Sequence, residues 1–280
     1  MIILDTKKEY KNHIDLLKSK GEIVSLVPTM GNLHDGHLSL IEIAKKNSSK
    51  VITTIFVNPL QFGKDEDFFI YPRTMNEDIS KLKKQNCDIL FAPKNKNEVF
   101  DNIDNLEHLM AGPKGNILCG KIRPGHFDGV LKVVYKLFQL TKPNLSIFGI
   151  KDFQQLYLVR QMAKEYFPKL KIISAPTIRN KNGLALSSRN SYLDDKSIKI
   201  APLFYKILFD GINSFKNSNN VEETIRDITK SLEKNKFLVN YVSFLTTELE
   251  KLKANSSEKK ILLSSVKLGQ TTLIDNIEFS

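Results

Sequence analysis

His34 and His37 stand three residues apart in the stretch Val27 to Leu40, V-P-T-M-G-N-L-H-D-G-H-L-S-L. At that spacing both imidazoles can face one ligand, and each can donate a hydrogen bond to a phosphate oxygen whether neutral or charged. A metal site would need a third and usually a fourth ligand. Neither Cys87 nor Cys119 has the paired spacing to supply one, so no residue is assigned to a metal. Further along, Lys151 could cancel charge on a transferring or departing phosphate. Ser187, Ser188 and Arg189 put two hydroxyls and a guanidinium in succession, a set that can wrap triphosphate oxygens with Mg²⁺ neutralising the remainder. Asn58 and Gln61 offer amides that bond a hydroxyl or a carboxylate without adding charge. Arg123 and His126 are a further pair suited to an anion. Taken singly, each has a plain alternative: histidines at a helix start, a solvated lysine, an Asn-Pro turn.

The elements that must position these residues follow from hydrophobic period. Ile23 to Val27 is short, β-branched and bounded by Gly21 and Pro28, which suits a buried parallel strand. Met30-Gly31-Asn32 reads as a turn, and Leu38, Leu40, Ile41 and Ala44 recur at helical spacing, so His37 belongs to the first turn of a helix. That arrangement aims backbone N–H groups and the positive end of a helix dipole at the loop, a cradle for an anion. Val51 to Val57 is a second buried strand, completing a βαβ unit, and Asn58 and Gln61 lie beyond its carboxyl end, where ligands of open α/β sheets bind. A capping box at Thr6 to Glu9 opens a helix to about Lys20. Thr74 to Gln85 reads as a helix and Asp88 to Phe91 as a short strand. Phe100 to Gly120 contains loop signals and is assigned no regular structure. Arg123 and His126 are expected just ahead of a helix from about Val130 to Leu140. Leu145 to Gly149 is another parallel strand, with one more around Ile172-Ile173.

Beyond Asn190 the texture changes: helices over Ile198 to Phe209 and Val221 to Leu232, then strands over Tyr241 to Leu245, Lys260 to Val266 and Thr271 to Ile277. The fold class expected is α/β, a Rossmann-like parallel sheet with helices on both faces, plus a small C-terminal α+β domain with an antiparallel sheet. The domains are placed at residues 1–186, for nucleotide and substrate, and 187–280, a lid.

A chain of 280 residues can bury a sizeable core. It has no apolar run near the roughly 18 residues of a membrane span, and its N-terminus turns charged after Leu4, so a cytoplasmic, membrane-free protein with reduced cysteines is expected. The formal charge of +11 invites a nucleic-acid partner. Residues 190–280 hold 13 Lys and Arg against 12 Asp and Glu, so ten of the eleven excess charges lie in residues 1–189, with the motifs. They would attract any polyanion, including a nucleoside triphosphate. No RNA-binding aromatic motif or stacking platform is present, and no nucleic-acid partner is expected.

The phrase P-T-M-G-N-L-H-D-G-H closely resembles the His-x-Gly-His signature of the nucleotidylyltransferase superfamily, and in this extended form that of the pantothenate synthetase family. V-N-P-L-Q-F-G…E-D-F…Y-P-R-T, R-P-G-H-F-D-G-V, F-G-I-K-D-F-Q-Q-L and G-L-A-L-S-S-R-N are similar to the family's other motifs and occur in family order. The resemblance implies ATP as co-substrate with Mg²⁺, and (R)-pantoate and β-alanine joined through a pantoyl adenylate in a homodimer. It implies catalytic roles for His34, His37, Lys151 and Arg189. ATP contacts are implied at Met30, Gly31, His34, His37, Gly149, Ile150, Lys151, Asp152, Ile178, Leu186, Ser187, Ser188 and Arg189. Gln61 is implied to bind pantoate and β-alanine and Gln155 pantoate, with Asn58, Arg123 and His126 near the substrates, and the loop Phe62 to Tyr71 to gate the site. Ile150 stands where the family commonly has Glu, Leu186 where it has Met, and Asn240 and Thr272 replace its usual acidic and arginine residues.

Overall fold

The computed structural model describes residues 1–64, 66–100, 106–252 and 258–280. Asp65 of the Phe62 to Tyr71 loop and residues 101–105 of the Phe100 to Gly120 stretch lie outside the described residues. The chain forms two compact units, Met1–Ile150 with Gln154–Pro176 and Lys151–Phe153 with Thr177–Ser280.

The first unit runs β1 (Ile2–Leu4), α1 (Lys7–Ser19), β2 (Val24–Thr29), α2 (Asp35–Asn47), β3 (Lys50–Ile55), α3 (Met75–Lys84) and β4 (Ile89–Phe91). It continues through two single helical turns, α4 (Gly112–Gly115) and α5 (Cys119–Ile122), to α6 (His126–Thr141), β5 (Leu145–Gly149), α7 (Phe153–Tyr166) and β6 (Lys171–Ala175). Among the described residues six strands make one parallel sheet in the order β1-β4-β3-β2-β5-β6. Side chains alternate across it. Val24, Leu26, Ile52, Phe91 and Phe148 pack with α1, α6 and α7 on one face, while Val27, Val51, Leu90 and Ile147 pack with α2 and α3 on the other. Both faces are covered, as a parallel sheet with helical crossovers requires.

This unit departs from the sequence expectation at several points: β3 stops at Ile55, short of Val57, and the Phe100 to Gly120 stretch, assigned no regular structure, holds α4 and the start of α5. Ile2–Leu4 pairs with β4 as an edge strand of three residues, too short and too exposed to show a period. Helix α6 begins at His126, a full turn before Val130, because Gly125 at φ 78° turns the chain directly into it and Phe127 already packs in the core. His126 is thus the first residue of the helix, and only Arg123 precedes it.

The second unit runs α8 (Asp195–Ile200), α9 (Leu203–Ser218), α10 (Val221–Lys234), β7 (Leu238–Thr246), β8 (Lys260–Leu268) and β9 (Thr271–Phe279). The strands form an antiparallel sheet β7-β8-β9 whose Phe244, Leu262 and Val266 pack against Phe204, Leu208, Ile228 and Leu232 of α9 and α10. The single helix expected over Ile198 to Phe209 is two. Pro202 lacks an N–H and its ring clashes with the preceding turn, so α8 stops and α9 restarts. Among the described residues no helix is long and apolar enough to cross a membrane.

In the parallel sheet, β2, β3 and β4 progress toward one edge and β5 and β6 toward the other. The strand order therefore reverses between β2 and β5, the place where open α/β sheets bind ligands. These two strands pair only at Ser25↔Leu145 and Leu26↔Ser146, then part toward their carboxyl ends. The histidine motif follows β2, and Gly149 ends β5.

Candidate active site

The turn after β2 is built from its backbone outward. Gly31 has φ +83°, and a Cβ there would stand 3.0 Å from Ile55 and 3.1 Å from Asp78, so only glycine fits. Asp78, buried in the first turn of α3, accepts N–H bonds from Asn32 at 2.9 Å and Leu33 at 2.7 Å, and the Thr74 hydroxyl bonds it at 3.2 Å. Lys81 of the same helix donates to the Leu33 carbonyl at 2.6 Å. Sequence reading missed Asp78, because an acidic residue in a first helical turn reads as a complement to the helix dipole. Its partners lie some forty-five residues upstream.

His34 then caps α2. Its Nδ1 accepts the Gly36 N–H at 3.1 Å, and its own N–H donates to Nδ1 of His37 at 3.3 Å. The rings lie 4.1 Å apart, tilted by 35°. With an amide hydrogen aimed at each Nδ1, both nitrogens are acceptors and each neutral ring carries its proton on Nε2. The expected backbone cradle is therefore modified: the N–H groups of Gly36, His37 and Leu38 are spent on the His34 side chain and carbonyl. The cap converts part of the helix's donor capacity into two imidazole Nε2–H groups.

Gln61 ends a short 3₁₀ turn, Pro59–Gln61, capped by Asn58. Asn58 is 1% exposed. Its Oδ1 accepts from Leu60 N–H at 3.2 Å, and its Nδ2 donates to Gln61 Oε1 at 3.2 Å and to the Gly129 carbonyl at 3.0 Å. Both ends of the amide expected at substrate are thus engaged inside the protein. The bond to Oε1 also sets which end of the Gln61 amide donates, and its Nε2 reaches Sδ of Met30 at 3.1 Å. Helix α6 can come this close because residue 129 is glycine: a Cβ would sit 2.0 Å from the Leu60 carbonyl oxygen.

Arg123 and His126, also expected at substrate, are engaged likewise. The Arg123 guanidinium forks onto Glu66 (Nε–Oε1 2.7 Å, Nη2–Oε2 2.5 Å), and its Nη1 donates to His126 Nε2 at 2.9 Å. His126 Nδ1–H donates to the Gln61 carbonyl at 2.7 Å. Burial alone would raise the Glu66 carboxyl, but the bonds and charge of Arg123, with smaller help from the Gly63 amide and His126, hold it below its ordinary value. A cavity of about 560 Å³ opens beyond β2, β3 and β4, lined among others by Met30, Gly31, Phe56, Thr74, Asp78 and Lys94. Gln155 is half-buried in the first turn of α7. Ile150 packs its side chain against the core shared by α1, α6 and α7, which accounts for an apolar residue there.

The second unit carries the remaining residues. Lys151 Nζ lies 3.7 Å from Asp152 Oδ1, and its carbonyl accepts from Asn276 Nδ2 of β9 at 2.9 Å. Asp275, beside it, takes Arg179 in a two-pronged pair at 2.5 and 2.8 Å, with the guanidinium 3.6 Å over the Tyr205 ring. Arg179 bridges to Ala185, and Leu186 N–H bonds the Ile178 carbonyl at 2.9 Å, so Ile178 and Leu186 close a hairpin. It delivers the short helical turn Ser188–Tyr192, capped by Ser187, whose hydroxyl accepts Arg189 N–H at 3.3 Å. The roles of Asp275 and Asn276 were not legible beforehand, since their partners lie about a hundred residues away.

The sequence profile of the pantoate-beta-alanine ligase family matches residues 2–278. A pantothenate synthetase of Acinetobacter baumannii is 41% identical over 258 residues, 92% of this chain and 90% of that protein. One from Buchnera aphidicola is 42% identical over 263 residues, 93% and 92% of the two chains. Among solved structures, the pantothenate synthetase of Thermus thermophilus superimposes with a TM-score of 0.87 at 35% identity, covering 99% of both chains. The pantoate-beta-alanine ligase of Francisella tularensis, complexed with beta-gamma ATP and beta-alanine, gives 0.81 at 37% identity, covering 99% of this chain and 97% of that one.

Proposed function

This chain belongs to the pantoate–β-alanine ligase family and joins pantoate to β-alanine with ATP as co-substrate, and we propose that it does so through an enzyme-bound pantoyl adenylate. In the first step a carboxylate oxygen of (R)-pantoate attacks the α-phosphorus of ATP and pyrophosphate leaves. In the second the β-alanine amine attacks the acyl carbon and AMP leaves. Both partners of the first step are anions, so the protein must align them and cancel charge rather than supply a nucleophile.

The observation that carries this reading is the pair of backbone N–H groups held against Nδ1 of His34 and His37. It prepares two Nε2–H donors beside the crevice where β2 and β5 part, ready for phosphate oxygens without reorganisation. Lys151, Ser187, Ser188 and Arg189 are assigned to the remaining phosphate charge, with Gly149, Ile150, Asp152, Ile178 and Leu186 as the other nucleotide contacts. A Cβ at Gly149 would meet no described atom within 4 Å, so packing does not demand the glycine, whereas close approach of a ligand would. Gln61 and Gln155 are assigned to pantoate. Mg²⁺ is proposed to arrive on the triphosphate: among the described residues no three His, Cys, Asp or Glu side chains converge, and this ion is commonly held by one or two carboxylates plus substrate phosphates. Asp152 is the carboxylate proposed to hold it, and the bound ion would neutralise phosphate charge.

With ATP, Mg²⁺ and pantoate but no β-alanine, a burst of about one equivalent of pyrophosphate per enzyme is expected. Absence of any pyrophosphate until β-alanine is added would overturn the adenylate route. The family resemblance further supports a homodimeric, cytoplasmic enzyme; light scattering should then return about twice the 32.0 kDa chain mass.

A further inference from the structure

Three groups of the R-P-G-H-F-D-G-V segment bond to Asn58, Gln61 and Glu66. Gly129 lets α6 approach Leu60 and presents its carbonyl to Asn58. His126 donates to the main-chain carbonyl of Gln61, and Arg123 forks onto Glu66. His126 and Arg123 also bond each other, and Arg123 Nη2 reaches the Gln61 carbonyl at 3.4 Å. The loop they hold is internally consolidated. Phe62 packs edge-on to Phe68 and Tyr71 at 5.3 and 5.9 Å, and Arg73 donates to the carbonyls of Phe68, Phe69 and Tyr71.

We propose that Arg123 and His126 are positioning residues that couple the loop bearing Glu66 to Gln61, so that loop placement and the aim of the Gln61 amide are set by one bonded network. The inference rests on the reading that Gln61 holds pantoate. The guanidinium suits this coupling because only a planar fork can hold both carboxylate oxygens of Glu66 while its third nitrogen turns to the imidazole. The imidazole is a go-between, bonded through Nδ1 to the Gln61 carbonyl and through Nε2 to Arg123.

The test is a double-mutant cycle on the intact enzyme, with the apparent affinities for pantoate and ATP and the ratio of pyrophosphate released to pantothenate formed as readouts. In E66A and in R123A the KM for pantoate should rise about tenfold with the KM for ATP nearly unmoved, and pyrophosphate should exceed pantothenate as adenylate is lost to water. The double variant E66A/R123A should be no worse than either single one, because each has already broken the same contact. R123K, keeping charge without the fork, should behave like R123A. H126N, whose amide can replace the Nδ1–H donor, should retain pantoate affinity better than H126A. Melting curves separate these effects from loss of fold, and R123K guards against a collapsed R123A. A rise in KM for pantoate in R123A with none in E66A would put Arg123 on the substrate itself and overturn the proposal. No change in either would overturn it as well. Failure of the unmodified enzyme to form pantothenate would instead count against the parent reading.

Discussion

His34 with His37 and Arg123 with His126 have the same three-residue spacing near a helix start, and both pairs look suited to an anion. They are used in opposite ways. At α2, main-chain N–H groups occupy the Nδ1 side of each ring, which puts the proton on Nε2. At α6, His126 is bonded through both nitrogens and Arg123 through its fork, all to protein groups of the Gln61 loop. Spacing therefore identifies residues that can act together, but the destination of their hydrogen bonds decides whether they act on a ligand or on the scaffold. The bonds at α2 leave each Nε2 side for the proposed ligand, and the bonds at α6 tie that pair to the Gln61 loop.

The largest effect that could break this contrast is at His37. H37A should lower the rate of pyrophosphate formation by at least ~10², on the scale of losing a preorganised donor to developing charge, measured by single-turnover quench. H37Q, whose amide reaches the place of Nε2, should keep more of the rate than H37N, which mimics Nδ1. The order at His126 should be reversed, Asn better than Gln. If both positions prefer the same replacement, the two histidines do not differ as described.

Next in size is Asp78, which holds the histidine turn as Arg123 holds the Gln61 loop. Replacing it by Asn keeps one acceptor but sets an NH₂ against a buried N–H. D78N should destabilise the protein by about 2–3 kcal/mol, the scale of a buried charged hydrogen bond left unsatisfied, read by urea unfolding. It should also slow pyrophosphate formation while leaving the KM for pantoate near its original value. A variant with full stability would remove Asp78 from its place under the turn.

These cases show what could be read from the chain and what could not. β2, β3 and β5 announce themselves because an unbroken apolar run between turn residues has few other solutions. The motifs at their carboxyl ends fall in place with them. Residues whose meaning depends on a distant partner were opaque. Asp78 looked like a helix-dipole complement, and Asp275 and Asn276 like ordinary strand residues. Local breaks were readable in principle but were outweighed by period: Pro202 interrupts an otherwise helical pattern, and Gly125 starts α6 one turn before its apolar stripe becomes dense. At Asn58, Arg123 and His126 the residue types were suited to substrate, and only the geometry revealed that their bonding capacity is turned inward.

Gly129 tests the brace from its closest point. G129A would push a methyl group to 2.0 Å from the Leu60 carbonyl oxygen and 2.7 Å from the Gln61 nitrogen, both backbone atoms that cannot rotate away. About 1–3 kcal/mol of overpacking is expected, measurable as a lower melting temperature. The displaced turn should weaken pantoate binding, while ATP binding, assigned above to His34 and His37, should be spared. Equal losses for both substrates would mean that the two regions are not separable.

The smallest effect is on pH dependence, and it distinguishes the regions by sign and by range. Glu66 is faced by Arg123, His126 and the Gly63 amide, and its carboxyl is held below the ordinary value. A carboxylate so lowered contributes fully above its unfolded value, and the contribution disappears as the pH falls through the folded one. The KM for pantoate should therefore stay flat with respect to Glu66 through the neutral range and rise only in acid, below the usual carboxylate titration. In E66Q that acid limb should vanish, leaving a KM already raised at neutral pH. The histidine turn, which has no part in the Glu66 pair, should give the same KM for ATP in E66Q as in the unmodified enzyme at every pH measured. A matching acid limb in the ATP profile that E66Q abolishes would show that the brace reaches the phosphate side as well.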